Sequence, residues 1–383
     1  MSSIELPVSL GEALDKLTIL DIKMGKIKDS RKVDVEKEYN VLYDKLKDYI
    51  SKYIFYYNIL KKINLAIWEM QDDFRDGNRN KVKLCFKIIE DNDRRFRVKK
   101  KINTLTNSSL KEQKGYKPKE AFVMTHQGLG DNITSIGMIR YLSTLYDKVV
   151  VACLNKNKAN LEMFYKDDDS IELLSFNSDE NISPNYGCDI DKFNSITEGY
   201  DLYMCGNHNL EKKLDMKNIL IPECFYDQYN LPFSIFWEYF YIPEYEKYDD
   251  LYNTIKDIPY IFIHNSGSKG VVFDMDIVEN KLNVCRNEIL FINPCSNIYN
   301  NGDKFYDIAS RFVGHKLPYY MKIIKNSTHN IVTDSSFMCL AINLEISHNN
   351  NFYISRGNRN YDHLYEKSFK KKYNKKEFKQ IIL

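Results

Sequence analysis

The stretch Thr125-His126-Gln127-Gly128-Leu129-Gly130-Asp131-Asn132-Ile133 decides the fold. It follows an apolar run, residues 121–124, and precedes an amphipathic run, residues 136–145. That order reads as a buried strand, a tight glycine turn and a helix. Gly128 and Gly130 can adopt positive φ or let another backbone or a ligand come close. Asp131 and Asn132 are expected at the helix N-cap, where side-chain oxygens satisfy orphan N–H groups and where anions are favoured. A second apolar run over residues 148–153 reads as the next strand. The segment 121–153 is therefore predicted to be one βαβ unit, with its loop where α/β folds bind ligands. It lacks the third glycine of the dinucleotide fingerprint, since Ile133 stands in that place, and no Gly-Lys-Ser/Thr follows to make a phosphate loop.

The chain has 383 residues, enough for two or three domains. Lys and Arg number 55 against 53 Asp and Glu, a net charge of +2, so no bulk field selects nucleic acid. The 8 cysteines are scattered with no C-x-x-C pair, which excludes zinc-ribbon spacing and predicts reduced thiols in a cytoplasmic protein. The first residues lack a basic segment followed by an apolar core, so they do not read as a signal peptide. No apolar run reaches the ~20 residues of a membrane span, and a soluble chain is expected.

Residues 1–107 read as an all-α N-terminal domain of antiparallel helices. Leu10, Leu14, Leu17, Leu20 and Met24 recur at helical spacing, residues 33–60 form a long amphipathic stretch, and two more helices are expected over 64–75 and 81–105. The basic run Arg94-Arg95-Phe96-Arg97-Val98-Lys99-Lys100-Lys101 reads as a solvated helix face, with a phosphate contact as the alternative. The helical domain also offers a surface for homodimer formation. Residues 108–120 are polar and form the expected linker.

From residue 121 onward apolar strands alternate with helices. Short strands are expected over 171–174, 202–205, 218–221, 259–264, 288–292 and 330–333. The aromatic stretch 222–248 reads as core that reaches an interdomain cleft. The tail 367–379 reads as a basic solvated helix or a disordered end. The result is an α/β protein with two Rossmann-like domains, 121–245 and 246–383, behind the helical domain.

Two more turns carry chemistry. His264-Asn265-Ser266-Gly267-Ser268-Lys269-Gly270 follows a strand and offers small residues, backbone N–H groups and a lysine, suited to a diphosphate. Asp334-Ser335-Ser336 opens a helix after a strand, with Asp334 as the expected cap and the serines facing an anion. No D-x-D closes a strand in the manner of metal-dependent transferases. Asp167-Asp168-Asp169 reads as a loop, Asp274 and Asp276 are the better pair, and no metal is expected.

Gly130-Asp131, Lys269 and Asp334-Ser335, in that order, resemble GT-B glycosyltransferases, in particular the heptosyltransferase-like group, over about residues 121–362. The sequence departs from that group after the Asp-Ser turn, where Ser336-Phe337-Met338-Cys339-Leu340-Ala341 replaces the usual Gly and His-Leu-Ala. The resemblance implies a transferase that moves a sugar from a nucleotide-diphosphate sugar to a glycan or other hydroxyl acceptor, with no further cofactor. Asp131 is then the base of an inverting single displacement, and Lys269 neutralises the leaving diphosphate. The first domain takes the acceptor, with His126, Gly128, Gly130 and Asn132 near it. The second takes the donor, with His264, Ser266, Asp334, Ser335 and Ser336. A helix start is expected to lower the Asp131 pKa and keep it ionised. For His264 a hydrogen-bonded structural role competes with donor contact, and Arg356 and Arg359 are unplaced candidates. The helical block, through Glu12 to Leu20, Ile67-Trp68 and Asn92-Asp93-Arg94, is similar to a domain of unassigned function found alone or beside glycosyltransferase-like domains, which implies association with glycan enzymes. The runner-up reading is a catalytically weak GT-B-like binding module whose helical domain recruits partners.

Overall fold

A computed structural model describes residues 6–77, 80–180, 182–209, 211–212, 221–267, 272–354 and 378–381. Four helices open the chain: α1 (Leu10–Lys26), α2 (Lys32–Lys52), α3 (Ile54–Asp76) and α4 (Lys81–Leu105). Ser9 caps α1 by accepting the Glu12 N–H, and Gly77, at φ 73°, ends α3 in the left-handed conformation. The long amphipathic stretch over 33–60 is divided between two helices at Tyr53, with φ −117° and ψ 32°. Gly11 lets α1 lie directly on α4. A Cβ there would stand 2.7 Å from the Lys99 carbonyl oxygen, and the Gly11 N–H donates to Asn103 Oδ1.

The basic run on α4 is not a solvated face. Arg94, Arg97, Lys99 and Lys101 are all buried. Arg94 bonds Asp91, Thr144 and Tyr239; Arg97 pairs with Asp147; Lys101 pairs with Asp168 at 2.5 Å. Their partners lie mostly on the α/β part of the chain, so the charges join the helical block to it.

The first sheet comprises β1 (Glu120–Met124), β2 (Lys148–Leu154), β3 (Ile171–Phe176) and β4 (Asp201–Met204) in the order β3-β2-β1-β4, all parallel. Between them run α5 (Leu129–Thr134), α6 (Ile136–Leu145), α7 (Asn155–Phe164) and α8 (Ile190–Thr197). Parallel strands covered on both faces read as continuous apolar runs, which is why β1 and β2 were visible in the sequence. Three short helices follow: α9 (Ile221–Asp227), α10 (Ile235–Glu238) and α11 (Asp250–Asn253). Their aromatics Phe225, Tyr226, Phe236 and Tyr239 are buried, as expected. The Tyr226 hydroxyl donates to the Thr134 carbonyl and accepts the Met138 N–H, which fixes the α5–α6 corner. Of the strand expected at 218–221, residues 218–220 lie outside the described residues, and Ile221 opens α9 instead.

The second sheet has β5 (Tyr260–His264), β6 (Leu290–Ile292), β7 (His329–Thr333), β8 (Asn351–Ile354) and β9 (Lys379–Ile381), again all parallel, in the order β6-β5-β7-β8-β9. Its helices are α12 (Met275–Leu282), α13 (Tyr306–Ser310), α14 (Met321–Asn326) and α15 (Ser336–Ala341). Of the tail read over 367–379, residues 367–377 lie outside the described residues, and the chain that follows forms β9 on the parallel edge of β8.

The fold class is the expected one, α/β with two Rossmann-like parallel sheets behind an all-α N-terminal region. One hydrophobic cluster runs from Leu14 and Leu60 through Ile139 to Phe262 and Ile331. The two α/β halves meet through their helices: Gly130 of α5 faces Ser336 and Cys339 of α15, and the Leu317 N–H donates to Asn160 Oδ1 of α7 at 2.9 Å.

Candidate active site

β1 ends at Met124, beside β2 on one flank and β4 on the other. The chain order reverses between β1 and β4, and such a switch point opens a crevice at the carboxyl ends of the strands. Residues 125–131 occupy it. Gly128, not Asp131 or Asn132, is the N-cap of α5, with extended backbone at φ −67°. What requires glycine there is space, since a Cβ would stand 2.6 Å from Asp131 Oδ2. Asp131 is the third helical residue. Its carboxylate reaches back to the Gly128 N–H and to its own, in the manner of a capping-box acid. Asn132 is buried and its amide donates to the Gly128 carbonyl at 2.8 Å, so it braces the turn.

His126 completes the first half of the site. The Asn207 N–H donates to its Nε2 at 3.0 Å, so the neutral ring carries its proton on Nδ1. Nδ1 lies 3.9 Å from Asp131 Oδ1, too long for a hydrogen bond but close enough for charge to be felt. Burial lowers the His126 pKa, with Asp131 partly opposing it. The Asp131 pKa is raised, the reverse of the helix-start expectation. Burial outweighs His126 and the two N–H groups, and Asp334 adds repulsion.

Gly206 sets this geometry. Its φ is +65°, and a Cβ would collide with the His126 ring and stand 2.9 Å from Phe225 Cε1. Gln228, itself buried, staples the residue: its Oε1 accepts the Gly206 N–H and its Nε2 donates to the carbonyls of Gly206 and Lys212. Gly206→Ala is expected to cost about 1–3 kcal/mol through backbone strain. Loss of the Asn207–His126 bond should move the His126 ring signals in an NMR titration, and an unchanged histidine spectrum would count against the arrangement.

The second half lies at the carboxyl ends of β5 and β7. His264 is 5% exposed. Its Nδ1 meets Ser335 Oγ at 2.9 Å, its Nε2 meets Cys295 Sγ at 3.2 Å, and burial pulls its pKa down to about 4. It is thus held between Ser335 and Cys295 and kept towards the neutral form by burial. Ser335, not Asp334, is the N-cap of α15, and its hydroxyl serves His264. Ser336 is the first residue of α15 and lies against Gly130. Ser266 forms a bridge to Val272. Lys269, Arg356 and Arg359 lie outside the described residues.

The two acidic pairs are structural. Asp167 and Asp168 are buried against Arg140 and Lys101. Asp274 caps α12, and Asp276 pairs with Arg286. Among the described residues no group of three or more His, Cys, Asp or Glu is arranged to hold a metal ion.

Beside His126 opens a cavity of about 480 Å³ at the carboxyl ends of the first sheet. Met124, Leu154, Phe176 and Ile182 give it an apolar floor, with Tyr186 and His208 adding rings and Asp179 and Glu180 adding charge. His208 was missed in the sequence. It is 6% exposed, its Nδ1 has no hydrogen-bond partner among the described residues, and burial with His126 lowers its pKa to about 4. The signal that pointed to it was positional, since a strand pairing with β1 on the far side from β2 must deliver its following loop to the crevice.

A family model described as a family of unknown function (DUF6165) matches residues 4–128, which takes in the helical block and β1 and stops at the start of α5. No curated protein matches. Among solved structures, the chain is similar to a glycosyl transferase family 9 protein from Veillonella parvula at 11% identity, covering 62% of this chain and 80% of that one with a TM-score of 0.39. No helix among the described residues is long and apolar enough to cross a membrane.

Proposed function

We propose that the chain is a metal-independent glycosyltransferase that moves a sugar from a nucleotide-diphosphate sugar to a hydroxyl of a glycan or glycoconjugate. The observation that carries this reading is Asp131: a carboxylate at the carboxyl edge of the first sheet, facing the second sheet, with a raised pKa and 31% of its side chain still open. A carboxylate destabilised by burial is a stronger base than one in water, and the open third leaves room for an acceptor hydroxyl. In the reaction, Asp131 takes the hydroxyl proton as that oxygen bonds the anomeric carbon. The bond to the nucleotide diphosphate breaks on the opposite face, which inverts the centre. Lys269, which follows β5 in the sequence, is assigned to the departing diphosphate on the strength of the motif resemblance. The free cysteines suit a reducing cytoplasm.

One observation favours the binding-module reading. α5 and α15 touch at Gly130, where a Cβ would lie 3.3 Å from Cys339 Sγ and 3.7 Å from Ser336, so the two helices leave no gap between the α/β halves at that point. The two readings separate in a panel of nucleoside diphosphates and nucleotide sugars scored by thermal unfolding and by transfer. A donor at 100 times its Kd should add about 2.7 kcal/mol of stability. The transferase reading expects a base-selective shift, lost in Lys269→Ala, together with turnover. A panel that leaves the unfolding curve unmoved rejects it.

A further inference from the structure

We propose that the 480 Å³ cavity above β1–β4 binds an uncharged or amine-bearing sugar unit and rejects anionic ones. As the acceptor site this rests on the glycosyltransferase reading; as a binding site it stands without it.

Three features of the cavity agree. Its place is the crevice at a topological switch point, reached by the ends of all four strands through Met124, Leu154, Phe176 and Asn207, and its volume falls in the range of small-molecule sites. Its surfaces match a sugar ring. The C–H faces of a pyranose lie well on an apolar floor and on flat rings, here Met124, Phe176 and Tyr186, while hydroxyls need acceptors, here Ser178 and the carboxylates at the rim. The nearly buried His208 adds another ring to that surface beside Tyr186 and Phe176.

The charge is one-sided. Asp179 and Glu180 line the cavity, and among the described residues no lysine or arginine does. Glu180 is partly engaged, accepting the backbone and side-chain N–H groups of Asn177, which leaves Asp179 as the more available acceptor. The two lining histidines do not compensate, because burial holds both towards the neutral form. A diphosphate, a phosphorylated sugar or a uronic acid would therefore meet two carboxylates with no lining cation to offset them, whereas an ammonium or a hydroxyl would meet acceptors. The cavity is thereby unsuited to the nucleotide donor. His126 lines it and stands 3.9 Å from Asp131, so it opens beside the proposed base.

The test uses the full chain with ¹³C-labelled methionine methyls, since Met124 lines the cavity. Methyl glucoside, glucosamine, glucuronic acid and glucose 6-phosphate are titrated to tens of millimolar. Methyl glucoside or glucosamine is expected to shift the Met124 methyl with a Kd at least about tenfold below either acid. Asp179→Lys, at an exposed position, should weaken glucosamine and strengthen glucuronic acid. Transfer to the bound sugar is assayed on the same unmodified chain, and a protein that binds sugar without transferring to it sinks the catalytic reading and spares this one. Acids that bind as tightly as the neutral and amino sugars, or four probes that all leave Met124 unmoved, overturn the proposal.

Discussion

Arg140→Met is expected to destabilise the protein by about 3–5 kcal/mol, the cost of stripping one partner from a buried ion pair. Arg140 lies on α6 with 1% of its side chain exposed. Its two terminal nitrogens hold both oxygens of Asp167, at 3.1 and 2.6 Å, and one also donates to the Phe164 carbonyl. Nε donates to the Tyr241 carbonyl, and the guanidinium lies 5.1–5.7 Å from the rings of Phe55, Tyr165 and Tyr241. Methionine fills part of the volume but, among the described residues, leaves Asp167 with only the Tyr56 hydroxyl, which donates to Oδ2 at 2.5 Å. Asp168, 3.9 Å away, would lose part of its support as well. Burial alone would raise its pKa, but Lys101 and Arg140 together bring it below the usual value. Arg140→Lys should also be costly, because an ammonium cannot replace the bidentate fork. Replacing both members, as Arg140→Met with Asp167→Leu, should recover most of the loss. Urea midpoints of the three variants decide the matter, and a single-variant loss under about 1 kcal/mol would place the pair among weak surface bridges. Because Tyr56 and Lys101 come from α3 and α4, the helical block and the first sheet should melt in one transition that Arg140→Met moves as a whole.

The same ion pairs show what the sequence concealed. Strands β1, β2, β5 and β7 are buried on both faces, so their apolar runs announce them, and the glycine turn after β1 marks the ligand edge. Periodicity, however, records only that Arg94, Arg97 and Lys101 are charged. It does not show that Asp147 lies 50 residues on from Arg97, or Asp168 67 on from Lys101, ready to receive them. A run of cations opposite a matching set of carboxylates in another element becomes an interior joint, and nothing local distinguishes it from a wet face. The cap at α5 was misplaced by three residues for a related reason. Asp131 resembles an N-cap in sequence, but the missing side chain at Gly128 lets it act from the third helical position. His208 and Gly206 depend on β4 pairing beside β1, a fact of topology with no local signature. His264 is legible as a strand-end residue, but its partners Ser335 and Cys295 come from other loops that no local pattern points to.

Asp131→Asn is expected to lower transfer by about 10²–10⁴-fold while leaving donor affinity intact, since asparagine keeps the shape but cannot accept the proton. The pH dependence should identify the group. The base must be ionised, so kcat/KM falls as pH drops through the Asp131 pKa. Because that pKa is raised, the acid limb should stand above the ordinary carboxylate range and vanish in the variant's residual rate. Stability supplies an independent sign. A carboxylate whose folded pKa exceeds its unfolded value binds more protons when folded, so it destabilises the protein at neutral pH and relaxes as pH falls through the folded pKa. The substituted asparagine carries no charge to bury, so the variant should melt no lower than the parent at pH 7 and lose its advantage in acid. A residue present only to cap α5 predicts the opposite, a lower melting temperature at pH 7 with no change in the rate profile. Gaining stability while losing turnover is the mark of a charge kept in an unfavourable place for its chemistry. Melting curves at two pH values beside one rate profile are sufficient to tell the two roles apart.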